Sequence, residues 1–492
     1  MLRYIISLFI LIISLAVRAD KFEVSAGDLH SLVTKPAEVK TLELTGEVNA
    51  MDLKFIETEL ASLESLDLSA VKIVESAGSR IGIAVNFRAN TIPANIFAGA
   101  RFNSVILPAT PGLVIEAGAF AGSSLREVVI PATVASVGDG AFLNCPELKI
   151  VTISSENLGA SVFSECPSLE KVDIRVKTAV PDGAFFNCAK LTSVAGSENI
   201  TAIGARAFAG CKTLGSFGFG PDLAIVGDSA FDGSGLDEVS LEKSRKLSSV
   251  GAWAFANMPN LETLHLGDTP VMGEGVAFNC PGLRKLTVNN VTEIPAYAYA
   301  KDAQLDSVGI LPVSTESIGD YALSDLSSLT DLTVPVNVSY IGTRAMQRMT
   351  SLRHMWVHSG EIPELGDDVW AGVSQKDVQV SVPEHLVSLY TFTPQWQEFT
   401  FHNISSVDDI VDDGDVAAGL KARFEGYELQ VSVDGVDIET LGLYDTSGML
   451  LVYLEPADGF VAIDTADFAG QVFIVSAVLA DGRQASAKLA RR

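Results

Sequence analysis

Along most of the chain one buried-type residue, usually preceded by alanine, returns every 21–24 positions. The series runs Phe97, Phe120, Phe142, Phe163, Phe185, Phe208, Phe231 and Phe255, then Ala277, Tyr299, Leu323, Met346 and Trp370. Five or six residues beyond most of these anchors stands a leucine, as at Leu125, Leu148, Leu169, Leu191 and Leu214. A short alternating segment follows, with apolar pairs such as Val128 and Ile130, Val172 and Ile174, or Leu264 and Leu266. A hydrophobe–glycine step then precedes the next anchor, as in Val137-Gly138, Ile203-Gly204, Val226-Gly227 and Ile341-Gly342. Alternation over four or five residues predicts a strand with one buried face. Glycine permits the bends, and Pro108, Pro131, Pro312 and Pro335 stop strands at fixed places. No single turn of such a coil can bury its own phenylalanine and leucine, so each must stack on its neighbours. The pattern therefore predicts a mainly β solenoid, whose 13 rungs at ~4.8 Å give a parallel sheet about 60 Å long.

Composition narrows the partners. The 492 residues carry 34 Lys and Arg against 61 Asp and Glu, a net charge of −27. Polyanions are poor partners for such a surface, so nucleic acid is excluded as a ligand. A hydrophobic share of 48% excludes a mainly disordered chain. The one long apolar run lies at the N-terminus, where Arg3 precedes Tyr4 to Val17. That run is short of the ~20 residues of a membrane span and matches a signal peptide. Val17 and Ala19 stand at the −3 and −1 positions, which predicts residues 1–19 as a signal peptide, export, and no membrane span after its removal.

The repeats resemble a known family. Leu125-Arg-Glu-Val128-Val-Ile130-Pro131, running on to Val137-Gly138-Asp-Gly-Ala141-Phe142-Leu-Asn-Cys145, is similar to BspA-like leucine-rich repeats, and the likeness recurs in register from about Phe97 to Phe401. Upstream, Leu42-Glu-Leu44 and Leu63-Glu-Ser-Leu66-Asp-Leu68 resemble divergent first repeats, which places a capping segment at 20–96. Downstream, Val382-Pro383-Glu384 through Tyr390 to Trp396 and Phe399 resembles a closing cap, so the repeat domain is placed at 97–402. The resemblance implies a cell-surface or secreted, adhesin-like protein that binds a protein or other extracellular macromolecule.

Cys145, Cys166, Cys188, Cys211 and Cys280 share one repeat position, which Met258, Asp302 and Met349 fill elsewhere. A buried ladder of small apolar groups accounts for them better than disulfides or a metal site. After His402 five aspartates crowd positions 408–415, and a calcium loop fails there because Val411 offers no ligand. Residues 403–419 read as a solvated acidic linker. From 420 to 492 the alternation becomes that of a small antiparallel β-sandwich, with strands at 428–433, 441–444, 449–454 and 472–477 and turns at Asp434-Gly435, Ser447-Gly448 and Asp481-Gly482. Leu443-Tyr-Asp-Thr-Ser-Gly448, Gly470-Gln-Val-Phe473-Ile-Val475 and Lys488-Leu-Ala-Arg-Arg492 resemble the type IX secretion sorting domain, with Phe473 where that family more often has tyrosine. This resemblance implies a Gram-negative host.

Catalysis needs converging groups, and none appears at a recognisable spacing: no Walker loop, HExxH or Gly-x-Ser-x-Gly elbow. Gly215 to Gly220 is glycine-rich but falls in the strand position of a repeat. The expectation is a binding protein that is not an enzyme and needs no metal or cofactor. A glycan-binding or glycan-processing scaffold and a purely structural stalk remain the alternatives. Outward positions of most strands are small, and one rung departs from this. In Leu352-Arg-His354-Met355-Trp356-Val357-His358, the residues His354, Trp356 and His358 share the outward side. Counting by the period sets Asp331 beside His354 on one neighbouring rung and Asp377 on the other. These five residues form the candidate partner-binding patch, an exposed tryptophan being a frequent hot-spot anchor.

Overall fold

The computed structural model describes residues 19–76, 88–269, 271–305, 311–312 and 314–403, and within 420–490 the strands and the short stretches beside them. The signal segment to Val17, the acidic linker and the three tail turns expected from sequence lie outside the described residues. The chain winds as a β-solenoid of about 16 turns with parallel sheets and little helix, followed by small antiparallel sheets. It divides into two compact units, Met1–Leu261 and Glu262–Arg492.

Each turn closes in the same way. The residue two before every anchor and the residue two after it have positive φ, from Asn95 and Gly99 around Phe97 to Asp368 and Gly372 around Trp370. Between these two left-handed residues the backbone bends sharply enough to thrust the anchor inward. The bend is tied to the next turn by hydrogen bonds at alternate residues: Gly118 N–H to Asp139 O, Phe120 N–H to Ala141 O and Gly122 N–H to Leu143 O, at 3.0, 2.8 and 2.7 Å. The residue before each anchor, alanine in nine of the thirteen turns, is likewise buried. The glycine of the hydrophobe–glycine step serves a second close approach. A Cβ on Gly227 would lie 2.6 Å from Ala205 N, a distance real Cβ atoms do not adopt.

In the first unit the anchors make a continuous stack. Phe97, Phe120, Phe142, Phe163, Phe185, Phe208, Phe231 and Phe255 are fully buried, with successive ring centroids 5.2–5.6 Å apart and planes within 26° of parallel. Beside them the strands Glu127–Ile130, Ile150–Ile153, Lys171–Ile174 and Ser193–Ala195 pair in parallel. Their register aligns Val128, Val151, Val172 and Val194, so the inward valines stack as the phenylalanines do. The glycine-rich stretch Gly215–Gly220 is not a strand, contrary to its place in the repeat. Glycines lack side chains to pack on a pleated surface, and there Phe217 and Phe219 turn inward onto the rings of Phe208 and Phe231 instead.

The cysteine ladder is apolar in character. All five cysteines are free and buried. Cys145, Cys166, Cys188 and Cys211 each direct Sγ to the carbonyl of the preceding turn's phenylalanine, at 3.2–3.3 Å. Burial pushes the Cys188 thiol up to about 12 and that of Cys211 up as well, so both stay protonated and unreactive.

The sequence did not announce how the first turns are closed. Ala50–Glu59 is a helix, begun by a capping box in which Asn49 accepts from Met51 N–H and Asp52 accepts from Asn49 N–H. The buried Asp52 carboxylate also accepts from Gly27 and Leu29 N–H at 2.7 and 3.0 Å, fixing the loop after the first strand, Asp20–Val24.

In the second unit the strands Asp331–Val334, His354–Val357, Gln379–Val382 and Thr400–Asn403 form one parallel sheet. Trp370, Tyr390, Trp396, Phe399 and Phe401 close its end as an aromatic cluster, with neighbouring centroids at 5.0–6.5 Å. Beyond it the antiparallel strands enclose a separate core that includes Leu429, Val431, Leu441, Leu443, Phe473 and Val475.

Asp302 departs from the ladder chemistry. It occupies the cysteine position one turn after Cys280, is fully buried, and accepts from Cys280 N–H through Oδ1 at 2.7 Å. Its Oδ2 has no hydrogen-bond partner. Burial, with no cation opposite, raises the carboxyl well above its ordinary range and keeps it protonated. An acid whose folded pKa is raised stabilises nothing above its unfolded pKa. Its unfavourable contribution grows as pH climbs from the usual carboxylate range toward the folded value.

Two outcomes follow. Phe163→Ala, which opens a hole in the middle of the ring stack, is expected to cost about 3–5 kcal/mol, read as a lower melting temperature with the parallel-β circular dichroism retained. Asp302→Asn keeps the Oδ1 acceptor and removes the titration, so melting at pH 8 should rise by the equivalent of about 1–3 kcal/mol, with the difference from wild type shrinking toward pH 4.

Candidate partner-binding face

On the last parallel sheet the side chains alternate. Met355 and Val357 point inward and are fully buried, while His354 is exposed and Trp356 and His358 are half-buried on the other side. The strand is short and β-branched or aromatic at every second place, and its two neighbours hold it flat, so these outward side chains have fixed origins. His354 Nδ1 lies 3.1 Å from Asp331 Oδ1, and the second oxygen of Asp331 accepts from the Thr330 hydroxyl. The rings of His354 and Trp356 are 5.9 Å apart and tilted by 34°. Trp356 pairs in register with Thr333 on one side and Ser381 on the other, both small, and its indole is half-buried. The structure thus brings Asp331, His354 and Trp356 together.

Asp377 is a correction. The residue in register with His354 is Gln379, and Asp377 lies two residues earlier, at the end of the short helix Gln375–Asp377. That helix lengthens the last rung by two residues, which the fixed period did not allow for. Asp377 instead lines a shallow hollow with Ser374, Gln375, Lys376 and Glu398. His402 was passed over in the sequence because it stands where the repeat pattern ends. It pairs with Ser381, two strands from Trp356, and is exposed.

His358 has a neighbour of a different kind. Its ring centroid is 6.1 Å from that of Tyr444, in the Ile438–Asp445 strand of the antiparallel domain. Burial raises the Tyr444 phenol above its ordinary range.

A second surface follows the left-handed positions of this unit. Tyr297 and Tyr321 stack at 5.0 Å and within 3° of parallel. Lys301 lies 4.8 Å from the centre of the Phe278 ring, Arg344 reaches Asp368 at 3.2 Å, and Arg348 reaches Asp325 at 2.6 Å. These aromatic faces and charges are spent on one another, whereas the Trp356 indole lies between two small residues. Among the described residues no group of three or more His, Cys, Asp or Glu is placed to hold a metal ion. No helix among them is long and apolar enough to cross a membrane.

The coil, its paired left-handed turns and its parallel sheets are those of a leucine-rich-repeat solenoid. The profile of the BspA type leucine rich repeat region matches in six copies, over residues 90–215, 178–306 and 272–395. The chain belongs to that family. It is similar to a leucine-rich repeat protein from Bacteroides ovatus at 20% identity, over 78% of this chain and 92% of that one, with a TM-score of 0.52. A leucine rich cell surface protein from Faecalibacterium prausnitzii is similar at 18% identity, over 61% and 88% of the two chains, with a TM-score of 0.31. No match was found among curated proteins.

Proposed function

We propose that this protein is exported and binds an extracellular macromolecule, a protein in the first place, through the outward face of its last parallel sheet. The observation that carries the reading is the Asp331–His354–Trp356 arrangement: an indole between two small residues, flanked by an imidazole held by a carboxylate. Aromatic anchors with a polar surround account for most of the energy in protein interfaces, and small neighbours leave room for a partner to close around them. His358 and His402 extend the polar surround along and across the strands. Asp377, two residues out of register, falls at the margin of the face. Membership of the repeat family supports an interaction protein rather than an enzyme.

Export rests on the N-terminal segment, and surface display in a Gram-negative host on the resemblance of residues 420–492 to a type IX sorting domain. Deleting 420–492 should then leave the protein in the periplasm with its repeats folded; unchanged surface display makes the domain a spacer.

The binding reading is tested by using wild type and the Trp356→Ala, His354→Ala double variant as paired baits against surface-exposed extracts. Loss of an interface anchor costs about 2 kcal/mol or more, so a partner held by this face should be captured at least about tenfold less well. A partner retained equally by both baits binds elsewhere and removes the face from consideration.

A further inference from the structure

The antiparallel domain carries a feature that a sorting signal or spacer does not require. In the Ile438–Asp445 strand, Leu441 and Leu443 are fully buried in the domain's own core, so Gly442 and Tyr444 lie on the opposite, outward side. The Tyr444 ring lies over Gly442, where an added Cβ would come within 2.7 Å of it, is half-buried, and meets the ring of His358 at 6.1 Å with 32° between the planes. His358 sits two positions from Trp356 on the same outward side of the sheet. We propose that the antiparallel domain is a built-in cover for this end of the sheet, seated by Tyr444 on His358, and that a macromolecule using the Trp356 face must displace it.

The chemistry suits a reversible cover. A tilted aromatic pair contributes modestly beyond the area it buries. Because both surfaces belong to one chain, even a weak contact acts at an effective concentration of about a millimolar. A macromolecular partner that meets Trp356 and His354 also reaches the ground occupied by Tyr444. Domain and partner then compete for one face, and the apparent affinity of the full chain falls by the fraction covered.

The proposal rests on the sheet-face reading above, but its test contains no partner and so fails or succeeds separately. Cysteines are placed as His358→Cys with Tyr444→Cys, and as His265→Cys with Tyr444→Cys. His265 is a half-buried residue on an earlier strand of the same unit, Thr263–Asp268. The five native thiols are buried and do not compete for a short bismaleimide. Intramolecular cross-linking at position 358 should be at least tenfold faster than at 265. Equal rates mean that the domain has no seat on the sheet, and overturn the proposal. If either cysteine pair does not fold, His358→Asp with Tyr444→Asp places two like charges in the contact. The small-angle scattering radius of the folded variant should then exceed that of wild type, and an unchanged radius overturns the proposal equally.

Discussion

Everything in the coil depends on one local constraint: two left-handed residues, four positions apart, on either side of each anchor. This bend drives the anchor inward and presents N–H groups of the anchor and its flanking residues to the next turn's carbonyls. Hydrogen bonding and burial are thus satisfied by one geometry, and neither can be met by a turn standing alone. The stacked rings of the first unit, the aligned valines and the buried thiols are successive expressions of that repetition. So is the cost of departures. A side chain other than glycine in the left-handed region is strained by about 1–2 kcal/mol, yet Trp253, Tyr297, Tyr321, Arg344 and Arg348 all occupy it. The coil tolerates them because its hydrogen bonds and packing over-determine the backbone there.

The buried side of this molecule was legible in its sequence because burial is periodic. Each anchor from Phe97 to Trp370 is inside, the leucines follow, and Cys145 through Cys280 lie in a buried row, as the spacing suggested. What sequence could not supply were the places where the period changes. The Ala50–Glu59 helix closes the first turns through a buried Asp52, and its weak amphipathic pattern resembles no repeat. The helix Gln375–Asp377 shifts the final register by two, so Gln379 rather than Asp377 meets His354. The glycine-rich Gly215–Gly220 interrupts a strand that the repeat demanded. In each case a local preference, for a cap, a short helix or an irregular loop, outweighs the repeat.

The same limits apply to the candidate face. Alternation placed Met355 and Val357 inside and His354 and Trp356 outside, and the Asp331–His354 contact followed from counting back one period. The neighbour of His358 could not be found that way, since Tyr444 lies 86 positions on, in a domain with no repeat to count by. Long-range meetings of this kind are set by the tertiary packing of two separately built cores and leave no trace in the spacing of either.

The outward side chains at the left-handed positions hold a different potential. They project from the bend, away from the core, and the backbone there is held by main-chain hydrogen bonds rather than by what the side chain is. Glycine, asparagine, serine, glutamate, lysine, arginine, tyrosine and tryptophan all occur in these places within this one chain. Side chains in one column of the rim meet those of the next turn, Tyr297 on Tyr321, Arg344 on Asp368 and Arg348 on Asp325, so the rim varies by neighbouring pairs rather than by single residues. Change in such a rim is paired from one turn to the next, while the bend and the buried anchors beneath it stay the same.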